Sequence, residues 1–291
     1  MRTVIVLVLM AALLSACGSS TGAGDKLDVV AAENVYGNIA SQIGGPHVAV
    51  TSLLTSPNAD PHLFEPGTSS ALAVSGAKVV LQNGLGYDAF MTRLENSSPS
   101  KSRSVVTMAD VLGVHGKAGN PHLWYDVPRL DGIAGAISGA FVRADPSHAV
   151  AYRRGLKRFE RSLAPLRGEV AAIRTRFHGT PLAYTEPVPG YLVAAAGLRN
   201  LAPDSFTRPI EQGVEPSPSA VAAMNDLVAK RRIRLLLYNA QAVSPITAQL
   251  RNAAQKAGIP VVAMRETLPA NLSFQQWQLA QARALAAALT K

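Results

Sequence analysis

Cysteine is almost absent: the 291 residues contain one, Cys17. No internal disulfide can form, and the chain beyond that residue has neither a Cys-based zinc site nor a thiol nucleophile. Aromatic residues are few at 5%, and charged residues make up 16% against 48% hydrophobic. Disorder needs the opposite balance, so a large buried core is expected. Plentiful Ala, Val and Leu suit helices packed on buried strands. Acidic residues are outnumbered 19 to 28 by Lys and Arg, giving a formal charge of +9. The basic residues are scattered, apart from Lys230-Arg231-Arg232 and the run from Arg153 to Arg161. That run alternates with apolar and acidic residues like the solvated face of a helix, which sets nucleic acid aside as a partner. Val4–Leu14 is an apolar run of eleven residues, too short for the roughly 20 that a membrane-spanning helix needs. There is no His-Glu-x-x-His, Gly-x-Ser-x-Gly or P-loop, and Asn83-Gly84-Leu85-Gly86 lacks the third Gly of a dinucleotide-binding turn.

The apolar run follows Met1-Arg2 and ends at Leu14-Ser15-Ala16-Cys17, the layout of a secretory leader. Leu-Ser-Ala-Cys resembles the bacterial lipoprotein box, in which the Cys becomes the lipidated first residue. Residues 1–16 are therefore expected to be a leader and Cys17 a lipid anchor on the outer side of a membrane. Residues 17–26, rich in Gly, Ser and Thr, are expected to form a flexible tether.

Beyond the tether, strand-like and helix-like segments alternate. Leu27–Ala32, Val48–Leu54, Lys78–Leu81 and Ser104–Met108 are β-branched runs with helical spacing between them. This is the pattern of βαβ units and a parallel sheet. From Pro146 to about Phe177 only a helical period appears, carried by Tyr152, Leu156, Phe159, Leu163, Leu166, Val170 and Ile173. Pro165 predicts a kink within it. Alternation resumes with strands at Pro181–Thr185, Arg234–Tyr238 and Ile259–Met264. Helices follow at Gly190–Ala196, Pro245–Lys256 and Ser273–Leu289, the last with Ser273 as N-cap. The fold expected is α/β: two parallel-sheet lobes, 27–145 and 178–291, joined by one long helix over 146–177. A cleft between lobes is the ordinary place for a ligand.

Two of the six histidines share a setting. Asp60-Pro61-His62-Leu63-Phe64-Glu65-Pro66 follows the second strand, and Asn120-Pro121-His122-Leu123-Trp124-Tyr125-Asp126 precedes a helical run. Each is a Pro-His-Leu-aromatic tetrad with acidic neighbours, and a matched pair of loop imidazoles points to a metal. Glu186 comes directly after the strand ending at Thr185, and Glu266 two residues after Met264. Carboxyl ends of parallel strands face ligand crevices. Spacing alone leaves Glu186 equally suited to capping the helix after Pro189, and Glu266 to being a solvated loop charge.

Taken together, Asp60–Pro66, Asn83-Gly84-Leu85-Gly86-Tyr87-Asp88, Asn120–Trp124, the lipobox and Tyr238-Asn239-Ala240-Gln241 resemble the metal-specific substrate-binding proteins of bacterial zinc and manganese ABC transporters. The resemblance implies two lobes joined by a rigid helix with one divalent ion, Zn2+ or Mn2+, carried between them as cargo. It implies no catalysis, a monomer, and an ABC permease as partner. By the same resemblance His62 and His122 are the first-lobe ligands, Glu186 the third and Glu266 the fourth. Asn239 or a water is the alternative for the fourth place, and Asn83 and Asn239 are the groups expected to support the ligands from behind. A His-rich loop is missing, and Glu186 in place of a third His favours manganese; the Irving–Williams order puts zinc slightly ahead. A zinc-dependent hydrolase using Glu65 as base, or a siderophore-binding protein, are the competing readings.

Overall fold

A computed structural model describes residues 26–57, 61–116 and 119–291, with His62 described in its backbone alone. The leader, Cys17 and the tether up to residue 25 lie outside the described residues, as does the side chain of His62.

The first lobe runs β1 (Leu27–Glu33), α1 (Asn34–Gly44), β2 (Val48–Leu54), α2 (Thr68–Gly76), β3 (Val79–Gln82), α3 (Ala89–Ser97), β4 (Ser104–Thr107), α4 (Met108–Val111) and α5 (Leu130–Ala144). Its sheet is fully parallel in the order β2-β1-β3-β4, with Val29 beside Val50 on one side and Val79 on the other. Val29 to Ala32 of the central β1 are buried on both faces, so the strand reads as an unbroken apolar run.

Two helices follow, α6 (Ala149–Ser162) and α7 (Ala164–Phe177). Together they form the expected long helical connection, with its break at Leu163, one turn or less before Pro165, which falls in the first turn of α7. The missing N–H of Pro165 is harmless there, because first-turn amides have no helical acceptor.

The second lobe comprises β5 (Pro181–Tyr184), α8 (Gly190–Ala195), β6 (Arg199–Asn200), α9 (Asp204–Glu211), α10 (Pro218–Ala229), β7 (Leu236–Asn239), α11 (Pro245–Lys256), β8 (Val261–Met264) and α12 (Phe274–Leu289). Its sheet is again all parallel, in the order β6-β5-β7-β8, so both lobes repeat one winding. Ser273 caps α12 through a reciprocal pair, its Oγ accepting from Gln276 N–H while Gln276 Oε1 accepts from Ser273 N–H. β6, α9 and α10 fall in a stretch where periodicity suggested nothing. α9 hides behind Pro209 in its interior, and α10 is rich in small residues.

One core crosses both lobes. Phe274 and Trp277 of α12 pack against Phe159 of α6 and Tyr125 of the first lobe, with ring centroids 6.1 and 5.9 Å apart. Asn38 accepts from Phe274 N–H, and Asn34 exchanges two hydrogen bonds with the backbone of Leu268. Lobes joined through a shared apolar core have little freedom to hinge.

α1 and α6 approach closely at Gly155, where a Cβ would lie 2.0 Å from the Ile43 carbonyl oxygen and 2.8 Å from its carbon. Those are backbone atoms and cannot swing aside. Gly155→Ala gains up to about 1 kcal/mol of helix propensity. Overpacking outweighs it, so a net loss of roughly 2 kcal/mol is expected, read as a lower midpoint in denaturant unfolding.

Candidate metal centre

In each sheet the winding reverses between the first and third strands of the lobe, β1/β3 and β5/β7. Ligands bind at such switch points, outside the carboxyl ends of the strands. Glu33 ends β1 and Asn83 follows β3; Thr185-Glu186 follow β5, Asn239 ends β7, and Glu266 comes just after β8. The loop carrying His122 brings an imidazole from the first lobe against the second-lobe group.

His122 is fully buried, and its tautomer is dictated by Asn120. The Asn120 amide nitrogen donates to the Pro187 carbonyl at 2.7 Å, which turns its oxygen toward His122. That oxygen accepts from the His122 backbone N–H at 3.0 Å and faces Nδ1 at 2.8 Å. Nδ1 therefore carries the hydrogen, and Nε2 presents a lone pair. Nε2 lies 3.1 Å from Glu266 Oε2 and 3.7 Å from Glu211 Oε2. A lone pair facing carboxylate oxygens at such separations is an arrangement that one shared cation can occupy.

Glu186 and Glu266 are both buried, each 1% exposed. Asn239 spans them, its amide nitrogen 2.5 Å from Glu186 Oε2 and 2.7 Å from Glu266 Oε1. Its oxygen is occupied by Gln241 N–H at 3.0 Å. Tyr87 donates its hydroxyl to Glu266 Oε2 at 2.9 Å. Burial, and then the charge of Glu266, hold the Tyr87 hydroxyl well above its ordinary pKa, so it remains a donor. Gln241 fixes the backbone behind, its Oε1 accepting from the N–H groups of Glu266 and Thr267. Buried carboxylates without such partners would be prohibitively costly.

Ligand atoms of His122, Glu186 and Glu266 all lie within 4.8 Å of one another. Donors bonded at 2.0–2.2 Å to a tetrahedral ion sit about 3.4 Å apart. The 3.1 and 3.7 Å separations from His122 Nε2 bracket that spacing. The three form a mixed imidazole and carboxylate set of the kind that could hold one divalent ion.

The family model described as zinc-uptake complex component A, periplasmic, matches residues 29–288. The chain belongs to that family. It is a family of periplasmic metal-binding components of ABC transporters. Manganese-binding lipoprotein MntA of Bacillus subtilis is 32% identical over 184 residues, 57% of this chain and 60% of the relative, so the match spans under two thirds of that protein. A putative metal-binding protein of Treponema pallidum is 23% identical over 91% of this chain and 89% of its own length. Among solved structures, the periplasmic zinc-binding protein TroA of Treponema pallidum superposes with a TM-score of 0.74 at 19% identity, covering 91% of this chain and 99% of its own. The binding protein FpvC of P. aeruginosa, in complex with nickel, gives 0.75 at 19% identity over 91% and 97%. These two likenesses concern the fold.

Within this family member, three of the four residues expected as ligands, His122, Glu186 and Glu266, come together, and the side chain of His62 lies outside the described residues. Asn239 turns nitrogen rather than oxygen to the centre, which makes it a bridge between carboxylates and not a donor to a cation. Asn83 stands one layer away, accepting from the Tyr36 hydroxyl at 2.6 Å. Glu211 went unnoticed in the sequence because it ends the helix that Pro209 disguises. Its signal was an acidic residue at a helix C-terminus, where the dipole disfavours it. His115 is exposed, while His148 pairs with Asp145 at 2.6 Å and stacks on His47, so these belong to the surface. Glu65 is exposed on the first lobe.

Beneath Asn83 lies a carboxyl pair. Asp88 accepts from the N–H groups of Asn83 and Gly84 at 2.5 and 2.8 Å, and Glu33 is buried against it. Burial, then Asp88, push the Glu33 carboxyl well above its ordinary value. A raised acid costs stability as pH climbs from the unfolded value toward the folded one, because only the unfolded chain has released its proton. Glu33→Gln is expected to raise stability at pH 8, and to do so less at pH 6. Denaturant melts at pH 6 and 8 check this; equal destabilisation at both would contradict it.

Proposed function

We propose that the protein captures one divalent transition-metal ion outside the cytoplasm and delivers it to an ABC importer permease. The ligands are His62, His122, Glu186 and Glu266, and zinc is favoured over manganese. The observation that supports the reading is the His122 lone pair aimed at buried carboxylates, with Asn120, Asn239 and Tyr87 orienting His122, Glu186 and Glu266. Zinc accepts imidazole and carboxylate alike and outranks manganese in intrinsic affinity. Cys17 is the lipid anchor that keeps the protein, as a monomer, near its permease. The core shared by the lobes limits closure, so the permease recognises a modest rearrangement around the metal rather than a large hinge motion.

The test is a titration of chelator-stripped protein with zinc and with manganese, followed by calorimetry. One tight zinc site that excess manganese does not displace is expected. Manganese binding with zinc held only weakly would reassign the cargo, and binding of neither ion would refute the site. His62→Ala is expected to abolish tight binding, while His148→Ala and His178→Ala retain it.

A further inference from the structure

We propose that Glu211, the last residue of α9, is a fifth donor to the captured ion, closing the centre on its solvent side and tuning its preference between harder and softer divalent metals. The inference rests on the metal-binding reading above. Glu211 Oε2 lies 3.7 Å from His122 Nε2, the separation of two donors that share one ion. Its side chain is 15% exposed, whereas those of His122 and Glu266 are wholly buried, so it stands at the margin of the same centre.

A cavity of about 190 Å³ supplies the second observation. It opens between the loop before His122 and α9, with Asn120, Pro121, Tyr184, Arg208 and Glu211 in its wall. Neither Glu186 nor Glu266 lines it, so Glu211 is the carboxylate that borders both this cavity and the imidazole.

Local helix physics disfavours a carboxylate at this position. The C-terminal end of a helix repels negative charge, and Glu266 Oε2 already faces the same His122 Nε2 at 3.1 Å. Such a conflict between local preference and position marks a functional site. The chemical consequence is selective. Zinc is content with four ligands, whereas manganese takes a larger, oxygen-rich shell. A third carboxylate therefore serves manganese more than zinc.

The experiment compares the full chain with Glu211→Gln and Glu211→Asp, stripped of metal and titrated with zinc and manganese against a competing chelator. Co2+ serves as an optical probe of coordination number. For both variants the manganese dissociation constant is expected to rise about tenfold or more and that of zinc by less than about threefold, a difference in selectivity read directly from the ratio. The visible absorption of the cobalt form is expected to intensify as the shell contracts from five donors to four. Equal changes for both metals with an unaltered cobalt spectrum would overturn the proposal. Wild-type behaviour of Glu211→Asp would overturn it as well, since retained charge without reach would then suffice. Glu186→Gln separates the two levels of inference. Tight binding that survives in Glu186→Gln would sink the metal centre itself, whereas loss there alongside unchanged selectivity in Glu211→Gln sinks the fifth donor alone.

Discussion

His122→Ala is expected to weaken zinc binding by at least about a thousandfold, some 4 kcal/mol. Two effects combine. One nitrogen ligand is lost, and the carboxylates of Glu186, Glu266 and Glu211 are left facing one another with an imidazole-sized gap between them. The supporting residues cannot compensate, because Asn239 and Tyr87 point donors, not acceptors, at the site. Metal competition on the folded variant measures the loss; affinity within tenfold of wild type would remove His122 from the ligand set. Asn120→Ala tests the same geometry more gently. It leaves the imidazole in place but frees its tautomer, so a loss of about 10- to 100-fold is expected, as for other groups that orient a ligating histidine.

The two-lobe α/β design was legible because parallel strands buried on both faces appear as short apolar runs, as at Val29–Ala32 and Leu235–Leu237. His122 was legible through its duplicated tetrad, and Glu186 and Glu266 through their places after strands. What escaped shares one cause: it depends on neighbours distant in sequence. Glu211 belongs to an eight-residue helix whose internal Pro209 reads as a breaker, and its role emerges only where that helix meets a loop 89 positions earlier, at His122. Asn239 looked like an alternative ligand until Gln241 N–H took its oxygen. The break at Leu163 follows from Pro165 seeking a first turn, which periodicity of apolar residues does not register.

Metal loading and pH act on stability with opposite signs. At a thousandfold excess over the dissociation constant, a ligand that binds only the folded state adds about 4 kcal/mol. For a chain of this size that raises the melting temperature by roughly 8–16 °C. The gain shrinks as pH falls, because protons compete for the imidazole and carboxylate donors. The metal-free protein moves the other way. The folded-state values of Glu33 and Asp88 are raised, chiefly by burial, so acidification from pH 8 restores stability that ionisation of the unfolded chain had cost. Asp145, held at about 2 against burial by hydrogen bonds from Ser147, Tyr152 and His148, loses its contribution only below the ordinary carboxylate range and does not enter this window. Melting curves of the metal-free and zinc-loaded protein are therefore expected to converge between pH 8 and 5.5, with the metal-free midpoint rising while the loaded increment falls by half or more. Parallel curves, with a constant increment, would mean that the ion is held by groups that do not titrate and would refute the His and Glu donor set. Glu33→Gln makes the two effects separable. It is expected to remove most of the rise in the metal-free curve while leaving the decline of the metal increment intact, since Glu33 lies behind Asn83 rather than among the donors.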